Sequence, residues 1–276
     1  MKKPSEHLTS VNNPRIRNII ALQKPRERRE QGVFVIEGIK EIEKALLARY
    51  ELTSLFYCPG LADEDVARPF FRNVAEVFTI SIELFEKMTY RGNSGGMIAT
   101  ARIKEHNISD LRMKENPLFV VLEAVEKPGN LGAILRTADA AGVDAVIVCD
   151  PQTDIYNPNI IRSSLGCIFT VQVYKAPSSE VINLLKSKGI SIFCTSLEAS
   201  VPYHTIDFTK PSAIVMGTES TGLTPLWTKQ STQNILIPMK GVADSLNVST
   251  SAAIVVFEAV RQRGIGSENS EPNNEL

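Results

Sequence analysis

The sequence predicts an α/β protein built of two units. Apolar runs of strand length alternate with amphipathic helical segments along most of the chain. That alternation halts once, over a polar stretch closed by a proline, and then restarts. Strands alternating with helices call for a mostly parallel sheet covered on both faces. A chain of 276 residues accommodates two such units.

The chain opens with a basic segment. Residues 1–30 hold eight lysines and arginines (Lys2, Lys3, Arg15, Arg17, Lys24, Arg26, Arg28, Arg29) against Glu6, Glu27 and Glu30, a net +5. This is either a phosphate-contacting surface or a solvated helix face. Residues 32–38, GVFVIEG, read as a buried strand. Residues 39–50 read as a helix with Ile39, Ile42, Leu46 and Tyr50 on one face. Strands are expected at 52–58, 77–80 and 96–103, with a short helix over 81–89 begun by Ser81. These elements make a first domain of residues 1–103.

Residues 104–117, KEHNISDLRMKENP, have the composition of a linker. The pattern then runs strand LFVVLEAV, helix Leu131–Ala141, strand AVIVCD, strand TVQVY, helix EVINLLKSK, and strands ISIFCT, AIVMG and ILIP. A final helix over 248–263 places Ala252, Val256, Ala259 and Val260 along one stripe suited to packing on the sheet. The second domain is therefore 118–263, and the polar tail 264–276 is expected to be disordered.

Composition narrows the functional classes. No apolar run approaches the roughly 18 residues of a membrane span, and no secretory h-region follows the N-terminal lysines, so a cytoplasmic, membrane-free protein is expected. Cys58, Cys149, Cys167 and Cys194 lie far apart with only three histidines in the chain, which reads as buried reduced thiols rather than a metal site. Neither GxGxxG after a first strand nor GxxxxGK[ST] is present, against a Rossmann dehydrogenase or a P-loop NTPase. The glycine-containing loops follow later strands, where an open α/β sheet binds its ligand.

Three segments of the second domain stand out. In EKPGNLGAILRTADAAG (126–142) a Pro-Gly turn and Asn130 precede a helix carrying Arg136, which snorkels, pairs with a carboxylate, or binds phosphate through its fork. In AIVMGTESTGL (213–223) an apolar strand runs into Gly217, Glu219 and Gly222. Gly217 would let backbone approach a flat ligand such as adenine, although a plain turn also uses glycine. In residues 235–263 a strand ends at Pro238, and Ser245-Leu246-Asn247 leads into the last helix. Ser245 and Asn247 serve as caps, or as polar groups for a substrate beside an apolar Leu246.

Taken together and in this order, the three segments resemble the sequence motifs of the SpoU/TrmH family of SPOUT methyltransferases, over the whole of 118–263. Residues 8–47 also resemble the N-terminal substrate-binding domain of ribosomal-RNA members, a small α/β fold similar to large-subunit ribosomal proteins. The resemblance implies a C-terminal SPOUT domain with a trefoil knot, a homodimer whose active site lies at the subunit interface, and S-adenosyl-L-methionine as cofactor. By position, Thr195, Gly217, Ile237, Met239 and Leu246 would hold that cofactor. Catalysis would rest on Arg136, supported by Asn130, Glu219, Ser245 and Asn247. The implied reaction is methylation of a ribose 2′-hydroxyl, with RNA as partner and 23S ribosomal RNA favoured by residues 1–103. The alternatives are a tRNA 2′-O-methyltransferase, or a non-catalytic ribosome-assembly protein of the same fold. Two departures stand out. Glu126-Lys127-Pro128-Gly129 replaces the family's frequent Asp-Pro and puts a cation near the cleft, and Asn93-Ser94-Gly95-Gly96 replaces a His-Gln-Gly turn.

Overall fold

The elements, in chain order, are β1 (Glu6–Leu8), α1 (Pro14–Ala21), α2 (Pro25–Gln31), β2 (Val33–Glu37), α3 (Ile39–Leu47), β3 (Leu52–Tyr57), α4 (Glu64–Ala67), β4 (Val74–Ile80), α5 (Ile82–Met88) and β5 (Met97–Arg102). There follow β6 (Leu118–Glu123), α6 (Pro128–Ala141), β7 (Ala145–Cys149), α7 (Pro158–Ser163), α8 (Cys167–Thr170), β8 (Val173–Ala176) and α9 (Ser178–Ser187). The chain ends with β9 (Ser191–Thr195), β10 (Val201–Pro202), β11 (Ser212–Met216), α10 (Pro225–Thr228), β12 (Gln233–Leu236) and α11 (Val248–Gln262). This computed structural model describes residues 4–89, 95–198 and 200–264, so Asn93, Ser94 and the tail beyond Gly264 lie outside the described residues. Two compact units emerge: residues up to Glu105 together with Thr153–Thr170, and His106–Gln152 together with residues from Val171 on. No helix among the described residues is long and apolar enough to cross a membrane.

The first unit is a five-stranded sheet in the order β1-β4-β3-β5-β2, with β5 antiparallel to both neighbours and the other pairs parallel. Its first 30 residues are more than a charged arm. Asn13 caps α1 by accepting from the Arg15 N–H, Pro14 sits in the first turn, and Ile16 and Ile19 are buried. Arg28, counted above with the exposed cations, is fully buried. Its Nε donates to Asp154 at 2.7 Å, and its Nη1 donates to the Leu22 and Gln23 carbonyls at 2.8 and 2.9 Å. Arg15 pairs with Glu76, and Arg26 pairs with Glu30. Among the described residues this leaves Arg17, Lys24 and Arg29 as the exposed cations of the segment without an ion pair.

The helix expected over 39–50 stops at Leu47, because Arg49 turns left-handed at φ 58°; Tyr50 is buried beyond it. Its hydroxyl lies 3.3 Å from that of Tyr156, and the Phe34 and Tyr156 rings sit 4.3 Å apart. Segment 153–170 thus joins the first unit through an aromatic core, where its sequence position alone pointed to the second.

The second unit is a seven-stranded, all-parallel sheet in the order β10-β12-β9-β11-β6-β7-β8. β6, β7 and β11 are buried along their whole length, as a sheet covered on both faces requires. The stripe Ala252, Val256, Ala259 and Val260 is buried, and α11 packs on α6 as well as on β11. The segment read as a linker is tied to this unit. Ile108 and Leu111 join its core, His106 accepts from the Lys175 N–H, and Lys114 pairs with Asp144. Two apolar side chains in a polar stretch were too faint a pattern to show this. All four cysteines are free and buried, and burial pushes the Cys194 thiol up to about 12, so it stays protonated.

Candidate active site

Three loops leave the C-terminal ends of parallel strands β6, β11 and β12, and they carry the three motif segments. Glu123, buried at the end of β6, holds the second loop at its exit: it accepts from the Thr224 N–H at 2.8 Å and from its hydroxyl at 2.6 Å. Within that loop the Thr218 and Gly222 backbones bond to each other in both directions, folding Gly222 back over Gly217. A Cβ on Gly217 would overlap the Gly222 carbonyl and the Leu223 nitrogen. The glycine is therefore required by the loop's own closure, a reason internal to the chain rather than the approach of a ligand.

The loop presents Glu219 to the other two segments. Its Oε1 accepts from Asn130 Nδ2 at 2.8 Å and from Asn247 Nδ2 at 2.5 Å, while its Oε2 accepts from Lys127 Nζ. Asn247 Nδ2 also reaches Asn130 Oδ1 at 3.2 Å. Asn130 stands in the first turn of α6, and Asn247 caps α11 through Oδ1, which accepts from the Ser249 N–H at 2.9 Å. The Lys127 bond, aided by Asn130 and the Val248 N–H, holds the Glu219 carboxyl below the usual carboxylate range.

The same loops line a cleft of about 840 Å³, large enough for a nucleoside-sized ligand. Thr195, Gly217, Ile237, Met239 and Leu246 all border it, as do Glu219, Ser245 and Asn247. β12 ends at Leu236, two residues before the expected strand end, which frees Ile237 for the cleft wall. Thr195, at the end of β9, spends its hydroxyl on the Val215 carbonyl. Ser245 is exposed and bonds to Asp244 rather than to the Glu219 cluster. Asn130 borders a smaller cavity of about 60 Å³ that shares Gly217, Thr218, Glu219, Ser220 and Val248 with the cleft.

Arg136 stands apart. It is exposed on α6, borders neither cavity, and its side chain has no hydrogen bond or ion pair among the described residues. Lys127 and Glu123 are the functional candidates that motif reading left without a role. A carboxylate ending a wholly apolar strand was the available signal for Glu123; nothing local in the sequence links Lys127 to a residue 92 positions away.

The SpoU rRNA Methylase family pattern matches residues 117–257, and an MRM3-like substrate binding domain pattern matches 13–99. The chain belongs to the SpoU rRNA methylase family. The 23S rRNA (guanosine-2'-O-)-methyltransferase RlmB of Shewanella oneidensis is 32% identical, over 83% of this chain and 97% of its own. RlmP of Bacillus subtilis, a 23S rRNA (guanosine(2553)-2'-O)-methyltransferase, is 28% identical over 91% and 98%. An AdoMet-bound rRNA methyltransferase from Sinorhizobium meliloti superposes with a TM-score of 0.85 at 31% identity, covering 92% and 97% of the two chains. The SpoU pattern spans the three loops that build the cleft and the Glu219 cluster. It also spans segment 153–170, which in this SpoU-family chain packs with the first unit.

Proposed function

We propose that the protein transfers a methyl group from S-adenosylmethionine to a ribose 2′-hydroxyl of 23S ribosomal RNA. The observation that carries this reading is the continuity of the 840 Å³ cleft with the Glu219–Asn130–Asn247 cluster. The cleft fits the cofactor in size and in its mixed lining, with Leu246, Ile237 and Met239 for an apolar ring and backbone groups at Thr195 and Gly217 for polar edges. When bound, S-adenosylmethionine supplies an electrophilic methyl on a sulfonium. The chain's own residues then align the ribose and manage its proton. Alignment alone contributes up to roughly 7–11 kcal/mol in ideal cases.

Asn130, Glu219, Ser245 and Asn247 form the polar wall that orients the hydroxyl. Arg136, uncommitted and exposed, clamps the adjoining phosphate and stabilises the emerging alkoxide; a guanidinium with pKa above about 12 is a poor base. Arg136 lies outside the cleft lining of its own chain, which supports a homodimer with a shared active site. The α11 surface offers Phe257, 45% exposed, as apolar interface area. The trefoil knot, binding of RNA by the first unit, methyl transfer by the second and cytoplasmic action on RNA belong to the same proposal.

The test uses purified protein, labelled S-adenosylmethionine and protein-free 23S RNA, with the digested nucleosides separated by mass spectrometry. A labelled 2′-O-methylnucleoside is expected. Label on a base, or none while the cofactor still raises the melting temperature, would contradict the reading.

A further inference from the structure

We propose that Lys127 is a positioning residue for methyl transfer: from the loop before α6 it fixes the Glu219 carboxylate, and with it the direction of the Asn130 and Asn247 amides. The proposal rests on the functional reading above and concerns a residue at which this chain departs from the family's first motif.

Asn247 Oδ1 is taken by the Ser249 N–H and hydroxyl, so its Nδ2 must face Glu219 and Asn130. Asn130 Oδ1 accepts from Asn247, so Asn130 Nδ2 also faces Glu219. Both amides therefore converge on Oε1, which receives them only as an ionised acceptor; a proton there would oppose two N–H donors. Lys127 is the group that makes ionisation favourable, because it bonds the other oxygen and leaves Oε1 to the amides. The remaining charged groups that line the two cavities are Glu126 on the same loop, Asp244 on the loop before α11 and Glu198 after β9, all anionic. Without Lys127, Glu219 would face like charges alone among them.

An ion pair with so exposed a lysine adds little to stability. Its consequence lies in the charge and orientation of Glu219. The coupling is also reversible in test, since arginine retains the charge at position 127.

The experiment compares wild type, Lys127→Met and Lys127→Arg in the full-length protein. One readout is the titration of the Glu219 carboxyl carbon by NMR without ligand; the other is kcat and KM for 23S RNA across pH. For Lys127→Met the Glu219 midpoint should rise. The acidic limb of kcat should move up with it, and kcat at pH 7 should fall about ten- to a hundredfold. Affinity for S-adenosylmethionine should hold, because Lys127 does not border the large cleft. Lys127→Arg should restore both readouts. An unmoved Glu219 midpoint overturns the proposal, and so does a raised KM for RNA with an unchanged pH profile, which would make Lys127 a phosphate contact. If the wild type transfers no methyl group to RNA, the functional reading fails separately, and the NMR titration still decides whether Lys127 governs Glu219.

Discussion

Replacing Asn247 in turn by serine, alanine and aspartate separates the two tasks its amide performs. Oδ1 caps α11, a 15-residue helix that covers α6 and β11, and Nδ2 donates to Glu219 at 2.5 Å. Asn247→Ser keeps a capping oxygen and should retain wild-type stability. Asn247→Ala removes it and should cost about 1 kcal/mol, a drop of roughly 2–4 °C in Tm for a chain of this size. Asn247→Asp also keeps the cap, but it sets a second carboxylate against Glu219 Oε1. Two carboxylates at that spacing share a proton, so the pair's upper pKa rises above the unfolded value. A raised folded pKa gives stability that is present in acid and lost as pH rises through that pKa. At pH 8 the aspartate variant should therefore lie about 1 kcal/mol below the serine variant, the scale of two unit charges some 4 Å apart in water. The gap should close as pH falls from about 5 towards 4, because about 1 kcal/mol is less than one pKa unit above the unfolded carboxylate value. All three variants should lose methyl transfer, since none retains the Nδ2 donor. Thermal melts at pH 4 and pH 8 suffice; an alanine variant as stable as wild type, or an aspartate variant that gains stability relative to the serine variant with rising pH, would refute the reasoning.

Gly217→Ala should displace the 218–222 turn at a cost of about 1–3 kcal/mol and weaken S-adenosylmethionine binding, which calorimetry would show; unchanged affinity would contradict the loop-closure argument. Arg28→Met leaves the largely buried Asp154 without its cation and should cost about 3 kcal/mol in denaturant unfolding, with Arg28→Met/Asp154→Leu recovering most of it. Glu258, bound by Arg261 and Gln262, has its carboxyl lowered to about 2. It therefore contributes stability that is fully present above pH 4.5 and lost as pH falls towards 2, so the Tm difference between wild type and Glu258→Gln should shrink over that window.

Much of this architecture was legible because burial writes itself as apolar runs. The strands β6, β7 and β11 are wholly apolar apart from Glu123 and Ser212 at strand ends, and the α11 stripe repeats at helical spacing. What stayed hidden depends on distant partners. Arg28 reads as a surface cation until Asp154, 126 residues on, is placed beside it. Segment 153–170 carries no sign of its allegiance except Tyr156, whose aromatic neighbours are Phe34 and Tyr50. At the site, residue types and order were visible while bonding was not. Asn130, Glu219 and Asn247 could each be named from the motifs, yet their convergence on one carboxylate oxygen needs three loops to meet. Gly217 fits either a ligand's approach or a plain turn in sequence, and the overlap a Cβ would make with Gly222 shows that the turn itself requires it.

Mapping 2′-O-methylation in RNA from cells lacking the gene asks whether this cleft and cluster methylate a ribose of 23S ribosomal RNA. One 2′-O-methyl mark on 23S RNA should disappear, return with the wild-type gene, and not return with Arg136→Ala. A 23S RNA map unchanged by the deletion, or a mark restored fully by Arg136→Ala, would contradict methyl transfer by this site.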